Sequence, residues 1–367
     1  MAQPVPQRDS LMYWVDALSG ERQVPVNGKL TTLLSRHAQD SGNTRALQFL
    51  EAQLQRWGYA TARDSFSATG VNLMAGKRLG RRAYYIFGAH YDGADRVVGP
   101  AADDNASGVA TVLEAARLLR DSVLRQPVRF IFWDEEEQGL LGSKAYARQA
   151  AHRGDTVQGV LNLDMLAWNG DDRPVVQIHS RNTPDNSLLA DVLVEELQRA
   201  GQTPMRIVPG IEASDHAPFW SEGFAALLMI EDYQDDFNLF YHTPNDRAAE
   251  FDTTYFVRNA EAAFQGLKRI ARRRKVVVGW PQGPAPEPAH PKGCSWVPGR
   301  GLHINASLMP GSTVAVSLLD LHGRQLRTWS ISEDRLSSNT GLFSGLLPPA
   351  LSAPLMMAVQ YQQADGQ

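Results

Sequence analysis

Apolar residues recur at helical spacing from Leu30, Leu33 and Leu34 through Ala46, Leu47, Leu50 and Leu54, and the pattern stops at Gly58. Residues 1–28 show little periodicity. Beyond Gly58, short apolar runs alternate with amphipathic stretches. Ala83–Ala89, Val128–Trp133, Val160–Leu163, Val175–Ile178 and Ala225–Ile230 read as buried strands. Residues 107–121, 141–151, 185–200 and 253–274 read as helices, the last opened by Asp252 as its N-cap. Strands alternating with helices in this way predict an α/β domain: a mixed, largely parallel central sheet flanked by helices.

The pattern changes over 279–299, where Pro281, Pro284, Pro286, Pro288, Pro291 and Pro298 stand among glycines, as in a linker. From there the period is two. Val314, Val316 and Leu318 share one face, His322-Gly323 can turn the chain, and Leu355, Met357, Val359 and Tyr361 alternate again. The expected division is a catalytic-sized domain over 1–278, a linker over 279–299 and a small all-β, sandwich-like domain over 300–367.

Composition narrows the partners. Apolar residues make up 43% and charged residues 21%, ordinary for a globular protein with a sizeable core. The net charge is −4, and the longest basic run, Arg272-Arg273-Arg274-Lys275, closes a predicted helix, where cations complement the helix dipole. Nucleic acid is therefore not an expected partner. A single cysteine, Cys294, rules out an intrachain disulfide. No stretch approaches the roughly 20 apolar residues of a transmembrane helix, and the first residues lack the basic and apolar regions of a signal peptide. Composition leaves oligomeric state and location open.

In open α/β sheets, functional groups gather at the carboxyl ends of strands. Here those ends run into His90-Tyr91-Asp92, Asp134-Glu135-Glu136-Glu137 and Asp164, with His242 following the Ala225–Ile230 strand after a loop. An Asp103-Asp104 pair adds to them. One acidic strand end is usually a cap or turn, but several converging carboxylates repel one another unless a cation lies between them. Mixed imidazole and carboxylate donors suit zinc, with cobalt or manganese as substitutes.

The stretches GAHYDG (88–93), AADDNASG (101–108), DEEEQGLLGS (134–143), LNLDM (161–165), SDHAPFW (214–220) and YHTPND (241–246) resemble the bacterial leucyl aminopeptidase family. These are co-catalytic zinc exopeptidases, related to glutaminyl cyclases, and the resemblance spans about residues 30–275. It implies that His90 and Asp164 hold one zinc, Glu137 and His242 a second, and that Asp104 bridges them. Asp103 and Asn105 would be neighbours that do not ligate. Counting from Gly139-Leu140-Leu141-Gly142-Ser143, Glu136 would be the base that activates a metal-bridging water, although Asp134 and Glu135 leave the register of the acidic run ambiguous. Asp92 would accept a hydrogen bond from His90.

The implied reaction is hydrolysis of N-terminal residues from peptides with a free amine. A glutaminyl cyclase-like acyl transfer, a carboxypeptidase or dipeptidase activity, and a non-enzymatic binding domain are the alternatives. Cyclase relatives use a single zinc, and binding relatives have lost ligands or the base; this chain keeps the whole set. Trp168, Tyr233, Phe237, Phe240 and Tyr241 would either line a pocket for a large apolar side chain or anchor loops. The family's tyrosine three residues before Ser214 is replaced by Ile211; Glu212 is a candidate for amine binding. Asp215 and His216 are expected in a structural loop, and His179 as an ordinary polar residue. The resemblance also implies a secreted or periplasmic location.

Overall fold

The computed structural model describes residues 4–96 and 98–272, together with the backbone of six strands beyond them. The chain divides into two compact units, Met1–Arg273 and Arg274–Gln367.

In the first unit, seven helices are described: α1 (Arg8–Leu18), α2 (Ser41–Arg56), α3 (Gly108–Leu119), α4 (Leu141–His152), α5 (Pro184–Arg199), α6 (Ala217–Ser221) and α7 (Thr253–Arg272). Strands β1 (Val24–Val26) and β2 (Lys29–Thr31) form a small antiparallel pair. The main sheet is built from β3 (Ala60–Ser65), β4 (Val71–Gly76), β5 (Ala83–His90), β6 (Val128–Trp133), β7 (Thr156–Leu163), β8 (Val175–His179), β9 (Thr203–Ile207) and β10 (Ala226–Ile230). Their spatial order is β3-β4-β6-β5-β7-β10-β8-β9. The central four, β6-β5-β7-β10, are mutually parallel, while β4 joins β6 and β8 joins β10 antiparallel. The expected mixed, largely parallel sheet is present.

Period-two alternation along these strands divides the core. Tyr84 and Ile86 of β5 pack with α4 and α6, whereas Phe87 and Ala89 face a larger cluster that includes α1, α2, α3 and α7. Helix ends follow their local chemistry. Asp40 caps α2 by accepting from the Gly42 amide at 2.6 Å, and Asp252 caps α7 through the Thr254 and Tyr255 amides at 2.9 and 3.0 Å.

The helical pattern read from Leu30 begins too early. Leu30 lies in β2 and is 69% exposed, and the helix starts at Ser41, after its cap. Residues 1–28, read as featureless, contain α1, which buries Leu11, Trp14, Val15 and Leu18. Strands β3, β4 and β9 were also not anticipated; β3 and β9 are sheet edges whose partly exposed residues dilute the alternation.

In the second unit, β11 (Cys294–Val297), β12 (Gly301–Ile304) and β15 (Gly341–Phe343) form one three-stranded antiparallel sheet. Strands β13 (Thr313–Leu319), β14 (Gln325–Ser332) and β16 (Met356–Gln362) form another. Strand β11 falls inside the stretch expected to be linker, because Ser295-Trp296-Val297 pairs with β12. The boundary expected at 278 and the His322-Gly323 turn lie outside the described residues.

Candidate active site

Strands β6, β5 and β7 end side by side, and β5 lies between the two parallel strands that follow it in the chain, β6 on one side and β7 on the other, so a crevice opens at their carboxyl ends. His90 is the last residue of β5, Asp164 follows β7, and the acidic run follows β6. Asp104 comes from a kinked turn, Ala102–Ser107, ahead of α3. His242 comes from the long loop after β10.

These side chains meet. His90 Nε2 lies 3.2 Å from Asp104 Oδ1 and 3.3 Å from Asp164 Oδ1. His242 Nε2 lies 3.1 Å from Asp104 Oδ2 and 2.9 Å from Glu137 Oε2. The two oxygens of Asp104 thus face two different histidines. His90, Asp104 and Asp164 form one group whose donor atoms fall within 4.8 Å of one another; Asp104, Glu137 and His242 form a second; His90, Glu136 and Glu137 form a third.

The acidic run has one register in space. Asp134 accepts from Asn43 Nδ2 at 2.8 Å and the Val71 amide at 2.9 Å, and Glu135 accepts from Thr69 Oγ1 at 2.7 Å. Both are committed to the scaffold, so Glu136 and Glu137 are left to face the cluster. Asp92 differs from expectation. Its Oδ1 is 3.5 Å from His90 Nδ1, which has no hydrogen-bond partner, and its two oxygens accept the Glu136 and Glu137 amides at 3.2 Å. It ties the β5 end to the β6 end.

Several supports were not legible beforehand. Ser214 Oγ donates to Asp164 Oδ2 at 2.6 Å, and Asn162 Nδ2 donates to Ser214 Oγ at 2.9 Å. Asp246 accepts the Asp103 and Asp104 amides at 2.9 and 3.0 Å. Arg36 is fully buried and donates to the Tyr91, Pro100 and Ala101 carbonyls at 2.7, 2.9 and 2.9 Å, bracing the segments on either side of the site. The motif ending in Asp246 was visible in sequence, but nothing there distinguished a brace from a turn residue.

Two of the motif glycines have steric reasons. A Cβ on Gly108 would sit 2.8 Å from the Leu163 carbonyl oxygen, and one on Gly142 would sit 2.4 Å from that of Asp134. Non-glycine residues in the left-handed region collect here too: Ala101, Glu135, Leu140, Met165 and His242.

Electrostatics report a cluster short of cations. Burial opposes charge on His90, yet Asp164, Glu136 and Asp104 raise its pKa well above the usual value. Burial likewise works against His242, but bonds to Asp104 and Glu137 push it to about 10. Burial and Asp104 push Glu137 up to about 7. Glu136 is raised well above the carboxylate range by burial, opposed by His90 and reinforced by Asp215, Asp164 and Glu137.

The aromatic residues divide into two sets. Tyr233, Phe237 and Tyr241 stand in edge contact at 5.3 and 4.9 Å, and Tyr241 stacks on His242. Trp168 instead pairs with Phe240 and donates to Asp236 at 3.2 Å, anchoring loops. Ile211 and Phe237 pack on Met165, Leu228 and Ile230, an apolar wall beside Asp164. Glu212 is paired with Arg181. Asp215 and His216 are buried in the loop behind the site, with burial raising Asp215 to about 8.

Residues 72–266, more than half of the chain, match the family described as Peptidase family M28. The chain belongs to peptidase family M28. Leucine aminopeptidase 1 of Arthroderma gypseum is 26% identical to this M28 chain over 289 residues, covering 72% of it and 77% of the relative. Leupeptin-inactivating enzyme 1 of Streptomyces exfoliatus is 26% identical over 263 residues, covering 65% of this chain and 58% of that one. The probable lipoprotein aminopeptidase LpqL of Mycobacterium tuberculosis is 42% identical over 109 residues, 28% of this chain and 21% of that one. Against several curated relatives, then, the M28 chain spans little more than half their length or less.

Among solved structures, the Legionella pneumophila LapA aminopeptidase superposes with a TM-score of 0.61 at 20% identity, over 73% of this chain and 72% of that one. Porphyromonas gingivalis glutaminyl cyclase does so with a TM-score of 0.59 at 19% identity, over 73% and 100%. At those identities the likeness is one of M28 fold. Among the described residues, no helix is long and apolar enough to cross a membrane.

Proposed function

We propose that this chain is a two-zinc aminopeptidase, with His90 and Asp164 holding one ion, Glu137 and His242 the other, and Asp104 bridging. The observation that carries the reading is the division of the Asp104 oxygens between His90 and His242. The donors suit the metal. They are imidazole nitrogens and carboxylate oxygens within 4.8 Å of one another, and Glu137 Oε1 is buried with no hydrogen-bond partner. Zinc bound there would polarise the scissile carbonyl and acidify water. Cobalt or manganese would fit the same donors.

Glu136 is the residue placed to move the proton. It belongs to a donor group with His90 and Glu137, but is not needed to complete either of the two groups that share Asp104. It takes a proton from the attacking water and returns it to the leaving amine. Asp92 holds the backbone that presents Glu136 and Glu137. The phenol of Tyr241 lies partly buried near the carboxylates of Asp104, Glu137, Asp164 and Glu136; burial and these carboxylates raise its pKa, and as a neutral hydroxyl it is the proposed donor to the carbonyl oxygen as charge develops there. It supplies a hydroxyl on a different segment from Ile211.

The partly exposed Ile211 and Phe237, backed by the buried Met165, Leu228 and Ile230, favour a large apolar N-terminal residue. The acidic cleft suits the free α-amine. The complete set of five donors favours hydrolysis over cyclase-like acyl transfer and over a binding-only role. An exported location is part of this reading, supported by the sequence resemblance and by the lipoprotein relative.

The test is a panel of aminoacyl-nitroanilides with and without a chelator, run on wild type and Glu136→Gln. Leucyl turnover should vanish with chelator, return with zinc, and fall about 10²–10⁴-fold in a variant that keeps its metal. Chelator-insensitive turnover, or an unimpaired Glu136→Gln, would overturn the reading.

A further inference from the structure

The carboxyl ends of the central strands form the acidic crevice; the opposite ends are basic. The loop between β4 and β5 carries Lys77, Arg78, Arg81 and Arg82, and the loop between α3 and β6 carries Arg120 and Arg125. All six are exposed, in a chain of net charge −4. The loops are joined: Arg78 donates to the Leu124 and Arg125 carbonyls at 2.7 and 3.3 Å. Lys77 donates to the Gly58 carbonyl at 2.8 Å and lies 4.5 Å over the Tyr59 ring. Only Arg120 has a carboxylate partner among the described residues, Asp121 at 3.1 Å. The other five cations are held by carbonyls or project into solvent, so their charge is not cancelled.

An apolar feature sits among them. Val123 is 96% exposed at the tip of the loop, the most exposed large apolar side chain among the described residues. Behind it lies a groove of about 430 Å³ floored by Tyr59, Leu119, Leu124, Val128 and Phe130. We propose that this end of the sheet docks on an anionic phospholipid surface, with Val123 entering the interface and the surrounding arginines and lysine meeting the headgroups.

A polyanion such as duplex nucleic acid would use the cations but gain nothing from a bare valine at their centre; a bilayer interface uses both. The orientation is also workable. β5 runs from Ala83, beside the basic loops, to His90, about 23 Å away at about 3.3 Å per residue. The crevice would then face away from the lipid, open to soluble peptide.

The experiment is co-sedimentation of the full chain with vesicles of phosphatidylcholine alone and of phosphatidylcholine with 30% phosphatidylglycerol, the latter at about 50 mM and 500 mM salt. Binding is expected only to the anionic vesicles, and release at high salt. Arg81→Glu with Arg125→Glu, two exposed side chains, should lower the bound fraction at least tenfold. Val123→Asp should lower it several-fold and Val123→Leu should preserve it, all with unchanged thermal unfolding midpoints. Absence of binding to anionic vesicles at low salt would overturn the proposal. So would wild-type binding by the charge-reversed variant, or binding to a DNA duplex as tight as to vesicles and indifferent to Val123→Asp. None of these outcomes depends on peptidase activity.

Discussion

The ring of Tyr241 lies on that of His242, with centroids 3.7 Å apart and planes 21° apart. His242 adopts a left-handed backbone conformation, with φ of 56°. The stack orients an imidazole against Asp104 and Glu137 and brings a phenol under the influence of the same carboxylates. Removing only the hydroxyl keeps the stack and loses the donor. Tyr241→Phe is therefore expected to retain metal content and lower kcat about 10–100-fold, with a smaller change in KM. Equal kcat in the two proteins would limit Tyr241 to an orienting role.

Metal uptake should displace protons. His90 is raised well above its usual value by Asp164, Glu136 and Asp104, and His242 to about 10 by Asp104 and Glu137, both against the effect of burial, while Glu137 is raised to about 7. At neutral pH the metal-free site therefore holds protons that metal ligation must expel. Affinity should rise with pH across the neutral range, and zinc titrated into the metal-free protein should release about two protons per chain. Calorimetry in buffers of different ionisation enthalpy measures that number, and a value near zero would contradict the assignment of these donors.

Asp164 depends on a hydroxyl for its orientation. Ser214→Ala removes the 2.6 Å bond to Asp164 Oδ2 and leaves Asn162 without the hydroxyl it now donates to. Zinc affinity should fall about 10–100-fold, as is usual when a ligand loses its outer partner. Competition with a chromophoric chelator gives the constant. Ser214→Thr, if the methyl is accommodated, should restore part of it.

Two buried histidines make the fold sensitive to acid. His179 Nδ1 accepts the Ile211 amide at 3.2 Å, while His216 Nε2 donates to the Ile211 carbonyl at 2.8 Å. Both rings are neutral in this arrangement, and burial lowers them to about 4 and about 3. Between pH 6.5 and about 4 the unfolded chain therefore binds a proton at His179 that the native chain refuses. Stability is complete above pH 6.5 and is lost as pH falls through that window, by on the order of 2–3 kcal/mol for this group. Urea unfolding of wild type and His179→Gln at pH 7 and about 4.5 isolates it. The variant should lose less stability between the two conditions, and equal losses would remove His179 as a cause.

Reading the strands and helices of the first unit required only local information. A run such as Val128–Trp133 has one way to be buried, and the residues that follow it must emerge at a strand end. That is why five strands of the sheet, four of the helices after Gly58 and the residues that gather in the crevice were legible. Helix α1 shows the limit. Leu11, Trp14, Val15 and Leu18 have helical spacing, but Gln7 offers no side-chain cap and the segment is short, so its helicity depends on packing against α3.

Residue types at the strand ends pointed to a candidate metal site, and the resemblance of the motifs to the aminopeptidase family named the five side chains that come together. Which carboxylates of the acidic run face that site was decided by contacts with Asn43, Val71 and Thr69, far away in sequence. The same holds for Arg36 behind the loops, Ser214 on Asp164, and the clamp of His179 and His216 on Ile211. Periodicity reports which face of an element is buried, because that depends on neighbours three or four residues away. A hydrogen-bond partner is set by distances of about 3 Å between segments whose separation only the packed sheet and helices determine.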